Sequence, residues 1–277
     1  MWYGLLDISD KEFQDISRLV YKRFGIYLTD KKVTLVKGRL NKLIREKGYT
    51  SFSQYYKAVT DDTSGVELLG LVDKISTNHT YFYREKDHCA ALRGTILPET
   101  LDGIPGRDLK ELRIWCAGCA SGEEAYTLAI ELLEFAQREN LPLSGKIILA
   151  TDISLSALEA AVQERFPFKK KFHMIFCRNV MIYFDKLTKD RLAEQFSEML
   201  YPGGHLFIGH SESLGRDSSA FEYRQPALYK KRGGVTTWKR LTYVLTLDAE
   251  IPETNGVDVS AQADIICRSW GFFLFRL

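Results

Sequence analysis

The feature that most constrains the fold is the alternation of short apolar runs with longer amphipathic patterns from residue 112 onwards. The apolar runs predict strands, and the periodic segments between them predict helices. The predicted strands are 112–116, 146–151, 174–177, 205–209, 221–223 and 227–230, and the predicted helices are Glu123–Arg138, 154–165 and 188–200. Because helices separate most of these strands, we expect a mostly parallel, doubly wound sheet and an α/β fold in this half of the chain.

The first 76 residues show only helical patterns. Phe13, Ile16, Val20 and Phe24 recur at helical intervals, and three similar stripes follow them. The start and stop signals are Ser9 with Glu12, Gly25, Thr29 or Asp30, Gly48, and Ser51 with Gln54. We therefore expect a small bundle of four short helices.

These patterns divide the chain into four segments. Residues 1–76 form the helical bundle, 77–110 connect it to the sheet, 111–232 form the sheet domain, and 233–277 are an unassigned tail. In the connection we expect a helix over 87–97 that Pro98 closes, then a surface loop over 99–110. In the tail, residues 238–247 have a strand-like pattern and 271–277 are apolar.

The composition is that of an ordinary globular protein. The chain has 277 residues, 45% of them hydrophobic and 27% charged, with a net charge of +2. Five cysteines, an odd number, argue against a disulfide framework and favour a cytoplasmic location. The first residues lack the pattern of a signal peptide, and no apolar run approaches the ~20 residues of a membrane span, so we expect no membrane insertion.

Positive charge is concentrated in the predicted second helix and its flanks. Nine basic residues lie between Lys22 and Lys47, and only Asp30 and Glu46 oppose them. Such a patch suits an acidic protein or a nucleic acid, although a solvated helix face has the same composition. The interleaved aromatic residues of a single-strand binding platform are sparse, which argues against nucleic acid.

Polar side chains follow the predicted strand 174–177 directly. Arg178 and Asn179 occupy the carboxyl end of this strand, where open α/β sheets place their ligands. A solvated turn at the end of a strand gives the same pattern. The rest of the domain favours a ligand site.

A loop of small residues, 117–122, follows the first strand. Small side chains let a ligand approach the backbone, but the Gly-Lys-Ser/Thr ending of a phosphate-binding loop is missing. Glu123 and Glu124 open the next helix, where carboxylates disfavour a phosphate and favour a cation. Asp152, at the end of the second strand, is placed to bind ribose hydroxyls. This pattern fits S-adenosylmethionine better than NAD.

Simpler interpretations exist for each of these residues. Glu123 complements the helix dipole, and Asp152 suits a helix cap. Cys116 and Cys119 have the C-x-x-C spacing of redox proteins, but the chain has no second pair that would complete a metal site. We expect these two cysteines to be loop-lining residues and expect no metal.

Together, five stretches closely resemble the CheR-type chemotaxis receptor methyltransferases. They are 77–85 (TNHTYFYRE), 115–126 (WCAGCASGEEAY), 150–153 (ATDI), 176–184 (FCRNVMIYF) and 209–212 (GHSE). The resemblance covers about residues 7–232 with one gap. It implies a helical domain followed by a Rossmann-like methyltransferase sheet.

The resemblance also implies an activity and the roles of individual residues. The family transfers the methyl group of S-adenosylmethionine to receptor glutamates and releases S-adenosylhomocysteine. Catalytic roles fall to Arg84, facing the acceptor carboxylate, and Tyr183, lining the reaction site. Cofactor contacts fall to Asn78, Thr80, Arg84, Glu123, Asp152, Arg178 and Asn179. Arg39 and Arg45 would dock on the cytoplasmic helical bundle of a methyl-accepting chemoreceptor.

The gap follows the helix after Asp152. In the family a small β-subdomain and one further sheet strand lie there, whereas here 162–172 leads straight into the Arg178-Asn179 strand. We therefore expect several tens of residues to be missing and strand 146–151 to become a sheet edge, exposed unless something covers it. The unassigned tail is one candidate to cover it.

Two functions follow from the retained motifs and the gap. The first is a monomeric protein-glutamate O-methyltransferase. The second is a non-catalytic, truncated relative that docks on receptors. A nucleic-acid methyltransferase is disfavoured, because the chain lacks an Asn/Asp-Pro-Pro-aromatic motif for a flipped base.

Overall fold

The computed structural model describes residues 5–77, 79–143, 146–152, 171–214, 220–233 and 272–276, except for the side chains of Lys146 and of 272–276. An N-terminal helical domain is followed by a connecting segment and a mixed seven-stranded sheet. This architecture agrees with the fold predicted from the sequence. No described helix has both the length and the hydropathy that a membrane crossing requires.

The helical domain contains α1 (Asp10–Phe24), α2 (Val33–Glu46), α3 (Phe52–Asp61) and α4 (Val66–Ile75). The capping box at Ser9 and Glu12 is confirmed, and Gly25 ends α1 in the left-handed conformation with φ 69°. The apolar stripes of the four helices meet in one core, which includes Phe13, Val20, Leu40, Ile44, Phe52, Tyr55 and Val72. The helical spacing of the apolar residues therefore predicted these four helices correctly.

The start of α2 differs from the prediction. Thr29 and Asp30 do not cap α2 directly, because Asp30–Lys32 form a 3-10 turn, and neither this turn nor α2 has a side-chain cap. Ser51 accepts a hydrogen bond from the Gln54 backbone N–H, as a helix cap should. The Gln54 side chain instead accepts from the Thr50 N–H at 3.0 Å.

The connecting segment was predicted incorrectly in two places. The helix does not end at Pro98: α5 (Lys86–Ala91) continues through a π-helical turn (Leu92–Ile96) into α6 (Leu97–Asp102). Pro98 lies just after the π-helical turn, so the irregular turn lies where the missing N–H of proline interrupts the regular hydrogen-bond pattern.

Residues 99–110 are also not a simple surface loop. After α6 they form 3-10 turns at Pro105–Arg107 and Leu109–Glu111. Leu101, Ile104 and Leu109 are buried against the sheet domain. Their apolar side chains therefore hold this segment against the core.

The sheet contains β1 (Ile114–Ala117), β2 (Lys146–Thr151), β3 (Phe172–Cys177), β4 (Leu200–Ile208), β5 (Phe221–Gln225), β6 (Leu228–Lys231) and β7 (Phe272–Arg276). Their order is β5-β6-β4-β3-β1-β2-β7. The strands β2, β1, β3 and β4 pair in parallel, whereas β5, β6 and β7 pair antiparallel. The predicted parallel centre is confirmed, and β4 begins earlier than predicted, at Leu200.

In the part of the sheet domain that the structure describes, α7 (Glu123–Arg138) and α8 (Lys186–Met199) pack beside this sheet. Side chains alternate along β1 and β3, so that Ile114 and Met174 belong to one core, and Trp115 and Ile175 belong to the other. Both faces of the central strands are therefore buried. The predicted helix 154–165 and the strand-like 238–247 lie outside the described residues.

The free edge expected at β2 is covered in the structure. β7, from the unassigned tail, pairs antiparallel with β2 and places Leu274 beside Leu149. The residues between β2 and β3 that the structure describes contribute no strand to this sheet. The tail thus supplies the strand next to β2, the edge that the sequence analysis expected to be exposed unless something covered it.

Candidate functional site

The site lies at the carboxyl edge of the parallel strands. The loop after β1 is tied to the end of β2, because the Gly118 and Cys119 N–H groups both donate to the Thr151 carbonyl, at 2.7 and 3.0 Å. Gly118 has φ +85°, and a Cβ there would lie 2.3 Å from a methyl group of Val180. The loop therefore needs glycine at this position for both conformation and space.

Asp152 supports the same loop. Its Oδ2 accepts the Ala120 N–H at 2.6 Å, and Ala120 itself has a positive φ of 48°. Asp152 is half-buried directly after β2, and its role as a ribose ligand stays a prediction. One carboxylate oxygen is thus used to shape the loop, a role that spacing alone did not predict.

Arg178 is the centre of a buried charge network. Its Nε lies 3.1 Å from Glu85 Oε2, its Nη1 lies 2.9 Å from Glu124 Oε1, and its Nη2 donates to the Arg84 carbonyl. The Arg178 side chain is only 6% exposed. The guanidinium thus holds together the segment before α5 and the start of α7, and the cofactor contact of Arg178 stays a prediction.

Glu124 is the acidic residue that the network uses at the start of α7. Burial raises the pKa of Glu124, and the Arg178 charge opposes that rise. Glu124 also accepts the thiol hydrogen bond of Cys116 at 3.0 Å. Glu123, which was predicted to face the cofactor, is half-buried and accepts a hydrogen bond from Ser121 Oγ at 2.7 Å.

Asn179 is held in a left-handed conformation, with φ 60°. Glu212 fixes this turn by accepting the N–H groups of Asn179, Ile182 and Gly209, at 3.0, 3.0 and 2.6 Å. Burial raises the pKa of Glu212, although these backbone donors oppose the rise. A Cβ on Gly209 would lie 2.5 Å from the Asn179 amide, so the turn and the 209–212 motif fit closely together.

One group of potential metal ligands was not predicted. Glu85, His88 and His210 each offer an atom, and these atoms lie within 4.8 Å of one another. However, Glu85 Oε1 accepts the His210 N–H at 3.1 Å, and Glu85 Oε2 is paired with Arg178. A metal ion would have to sit beside this permanent cation, so the geometry favours a polar network over a metal centre.

The segment around Arg84 is folded back on itself. Arg84 Nη1 donates to the His79 carbonyl at 2.6 Å, and its guanidinium lies 5.8 Å from the centre of the Tyr81 ring. The Tyr83 N–H donates to Thr127 Oγ1 in α7 at 3.2 Å. Thr80 is half-buried, and Asn78 lies outside the described residues.

Tyr183 joins the reaction-site loop to the helical domain. Its hydroxyl donates to the Thr77 carbonyl at 3.4 Å, its carbonyl accepts the Tyr27 N–H at 2.8 Å, and Lys32 Nζ lies 5.6 Å from its ring centre. Ile26 and Phe184 form a β-bridge beside it. These contacts bring the predicted catalytic tyrosine next to the segment that begins at Thr77.

The basic patch of the helical domain is partly neutralised. Lys37 pairs with Asp7 at 2.8 Å, and Lys47 pairs with Glu67 at 2.6 Å. The predicted docking residue Arg45 is exposed, whereas Arg39 is half-buried and binds backbone carbonyls of its own chain. The two arginines that the resemblance grouped together therefore have different environments.

The C-x-x-C pair gives no sign of redox chemistry. Cys116 and Cys119 are free and buried. Burial raises the pKa of the Cys116 thiol, and it raises that of Cys119 to about 12. Neutral, buried thiols are poor nucleophiles and poor metal ligands, which supports the loop-lining interpretation.

Sequence reasoning missed three members of this arrangement. Glu85, His88 and Glu212 were not predicted as site residues, although Glu85 and Glu212 lie inside the motifs that carried the resemblance. Glu124 was noted only as one of two carboxylates that favour a cation, and its pairing with Arg178 was not predicted. Only the folded chain shows which of two neighbouring glutamates is buried against Arg178.

Comparison with known proteins identifies the family. Residues 11–76 match the family model described as the CheR methyltransferase all-alpha domain. Residues 78–167 and 162–229 match that of the CheR methyltransferase SAM-binding domain. The chain belongs to the CheR methyltransferase family.

Several chemotaxis methyltransferases are similar over most of their length. That of Borreliella burgdorferi is 38% identical over 273 aligned positions, which cover 82% of this chain and 96% of that protein. A probable one from Rhizobium etli is 31% identical, with coverages of 72% and 91%. The one from Vibrio anguillarum is 30% identical, with coverages of 78% and 94%.

Among solved structures, the N-methyltransferase NodS of Bradyrhizobium japonicum in complex with S-adenosylhomocysteine matches 43% of this chain and 60% of its own. Its sequence identity is 21% and its TM-score 0.25. This likeness is too distant to support an argument about the site.

These alignments confirm the gap that was predicted in this chain relative to other members of the CheR family. The Borreliella alignment spans 273 positions, whereas 82% of 277 residues is about 227, so about 46 positions have no residue here. The SAM-binding model matches in two pieces that meet at 162–167, where the gap was expected. The family matches end at residue 229, so the tail stays unassigned by them.

The described residues fit S-adenosylmethionine, the cofactor of this family's domain. The carboxylates of Glu123 and Asp152 flank a loop without phosphate-binding features, which suits a ligand with cationic groups and a ribose. The Asn179 Oδ1 is buried and has no hydrogen-bond partner in the part of the chain that is described, so it offers an acceptor. S-adenosylmethionine supplies an ammonium group, a sulfonium and ribose hydroxyls to such a set.

Proposed function

We propose that this chain transfers the methyl group of S-adenosylmethionine to glutamate side chains of chemoreceptors, giving glutamyl methyl esters. The observation that carries the proposal is the Arg178 network, in which one guanidinium binds the Arg84 carbonyl, Glu85 and Glu124 at the start of α7. The chain retains the Arg178 network although about 46 positions of the Borreliella alignment have no residue here. The proposed working form is a monomer in the cytoplasm.

The chain's residues have little acid–base work to do in this reaction. A glutamate carboxylate is already ionised at neutral pH, because its ordinary pKa is about 4.3. When bound, S-adenosylmethionine supplies a methyl group activated by the sulfonium. The protein therefore has to bind both partners and hold the carboxylate oxygen in line with the methyl–sulfur bond.

Arg84 is the proposed partner of the acceptor carboxylate. Arg84 is half-buried, its guanidinium lies near the Tyr81 ring, and one of its N–H groups donates to the His79 carbonyl. A guanidinium has five N–H groups, so others remain for charge-assisted hydrogen bonds to a carboxylate. Tyr183 is proposed to line the opposite side, with its hydroxyl held by the Thr77 carbonyl.

Cofactor binding is proposed to use Asn78, Thr80, Arg84, Glu123, Asp152, Arg178 and Asn179. Asp152 would bind the ribose while its Oδ2 continues to hold the loop through Ala120. Receptor docking is proposed to use the exposed Arg45 and the basic surface around α2. The acidic faces of a receptor's helical bundle would complement it.

A second function has one observation in its favour. The residues missing after Asp152 include, by the family resemblance, a strand near the cofactor. A chain without them is a candidate for a docking module that binds receptors without transferring methyl groups. Binding of S-adenosylhomocysteine together with methyl transfer to a receptor separates the enzyme from this alternative.

The test is calorimetric titration of the full chain with S-adenosylhomocysteine, followed by a receptor-methylation assay. We expect micromolar binding, its loss in Asp152→Ala, and base-labile methyl incorporation into a receptor fragment. Asp190→Ala, an exposed aspartate of α8, is the matched control. Binding without methyl incorporation, or no heat from a folded chain, would favour the docking module.

A further inference from the structure

We propose that Arg39 is a positioning residue that holds the segment beginning at Thr77 against the helical domain, rather than a receptor contact. The expected effect of Arg39 on cofactor binding rests on the proposed function. The hydrogen bonds of Arg39 that support the positioning role all lie within this chain.

Arg39 projects from α2 to the carboxyl end of α4. Its Nη1 donates to the carbonyls of Ile75 and Ser76 at 2.6 and 3.0 Å, and its Nη2 donates to Thr77 Oγ1 at 2.8 Å. The last carbonyls of a helix have no partner within the helix, and they carry the negative end of its dipole. A planar cation with several donors is suited to satisfy them together.

Thr77, which follows α4, is hydrogen-bonded both to α2 and to the loop that carries Tyr183. Its hydroxyl is bound to Arg39 in α2, and its carbonyl accepts the Tyr183 hydroxyl at 3.4 Å. Lys32, just before α2, lies over the ring of the same Tyr183. The chain then runs within seven residues to Arg84, whose carbonyl is bound by Arg178.

This arrangement leaves Arg39 poorly suited to dock on a receptor. Both of its terminal nitrogens already donate to groups of its own chain. A receptor carboxylate would have to compete with these bonds, and breaking them would release the segment that carries Arg84. Arg45, further along α2, is exposed and better placed for docking.

The first experiment measures hydrogen exchange of the ligand-free chain, so it does not depend on any activity. Arg39→Gln should exchange faster than wild type in peptides covering 77–84 and 181–184. The matched control is Lys42→Gln, which removes a charge from the same helix at a side chain that is 80% exposed. Unchanged exchange at 77–84 in a folded Arg39→Gln variant would overturn the proposal.

The second experiment measures the consequence for the site. Arg39→Gln should weaken S-adenosylhomocysteine binding by about tenfold, the value of one charge-assisted hydrogen bond, and Arg39→Lys should restore part of the loss. A variant that binds the product normally and raises only the KM for receptor would show a docking residue. Failure of wild type to bind the product would reject the proposed function, while the exchange data would still decide the role of Arg39.

If Arg39→Gln does not fold, Thr77→Val provides the same test. It removes the hydroxyl that accepts from Arg39 Nη2 but leaves the two carbonyl bonds in place. The expected change in exchange at 77–84 has the same direction and is smaller. No change in this variant would contradict the proposed role of Thr77 as the point of attachment.

Discussion

The guanidinium Nη1 of Arg178 lies 2.9 Å from Oε1 of Glu124, with both side chains almost fully buried. The pair connects the carboxyl end of β3 to the first turn of α7. Burial raises the pKa of Glu124, and the arginine limits that rise. The start of α7, Glu85 and the Arg84 backbone are thereby fixed by one side chain.

Replacing Arg178 with Met should therefore destabilise the fold strongly. The change leaves Glu124 and Glu85 buried without their cation, and breaking a buried pair in this way costs about 3–5 kcal/mol. The measurement is the free energy of unfolding in urea. Arg224→Met, which breaks the exposed pair with Glu222, should cost about 1 kcal/mol or less; equal losses in the two variants would contradict the assigned role of Arg178.

Gly118→Ala should damage the cofactor loop. The substitution adds a Cβ 2.3 Å from Val180 and forces a positive φ of 85° on alanine. The control is Gly106→Ala, which carries a similar strain at φ +69° but meets no atom within 4 Å. We expect about 1–2 kcal/mol of destabilisation in the control, a larger loss in Gly118→Ala, and weaker S-adenosylhomocysteine binding only in Gly118→Ala.

Stability should fall as pH decreases below about 6.5. Burial lowers the pKa of His173 and of His205 to about 3, and that of His88 to about 4. Nearby cations add to the effect, with Arg113 near His173, Lys230 and Arg224 near His205, and Arg178 near His88. The unfolded chain then binds more protons than the folded chain between about pH 6.5 and 4, so acid favours unfolding.

The measurement is the free energy of unfolding in urea at pH 7.5, 6.0 and 5.0. Each histidine contributes at most about 1.4 kcal/mol per pH unit below its ordinary pKa. His205→Leu removes one of these groups and should make the decline with falling pH less steep. A decline of equal steepness in wild type and variant would show that His205 takes up its proton without unfolding.

Removing residues 234–277 should expose the edge of β2. The truncation deletes β7, and the backbone groups of β2 that pair with it become free to bind another chain. We expect a lower unfolding midpoint and concentration-dependent self-association in analytical ultracentrifugation. An identical midpoint and sedimentation profile for the full and truncated chains would show that β7 contributes nothing to the sheet in solution.

The sequence alone determined the outline of this protein. Periodicity identified the four-helix domain, because each stripe from Phe13 to Ile75 has one apolar face to bury. The strand–helix alternation fixed the parallel centre of the sheet. The motifs around Cys116, Asp152, Arg178 and Gly209 identified the CheR family, and the break after Asp152 revealed the gap.

Tertiary structure decided what the site residues do. Spacing does not show that Arg178 binds Glu124 and Glu85, because these side chains come from three elements that only the fold brings together. Arg39 and Arg45 look alike on a helix, but the end of α4 lies beside only one of them. In the same way, the stretch 272–276 is a strand that pairs with β2. Local sequence patterns do not show which strand edge is available for such pairing.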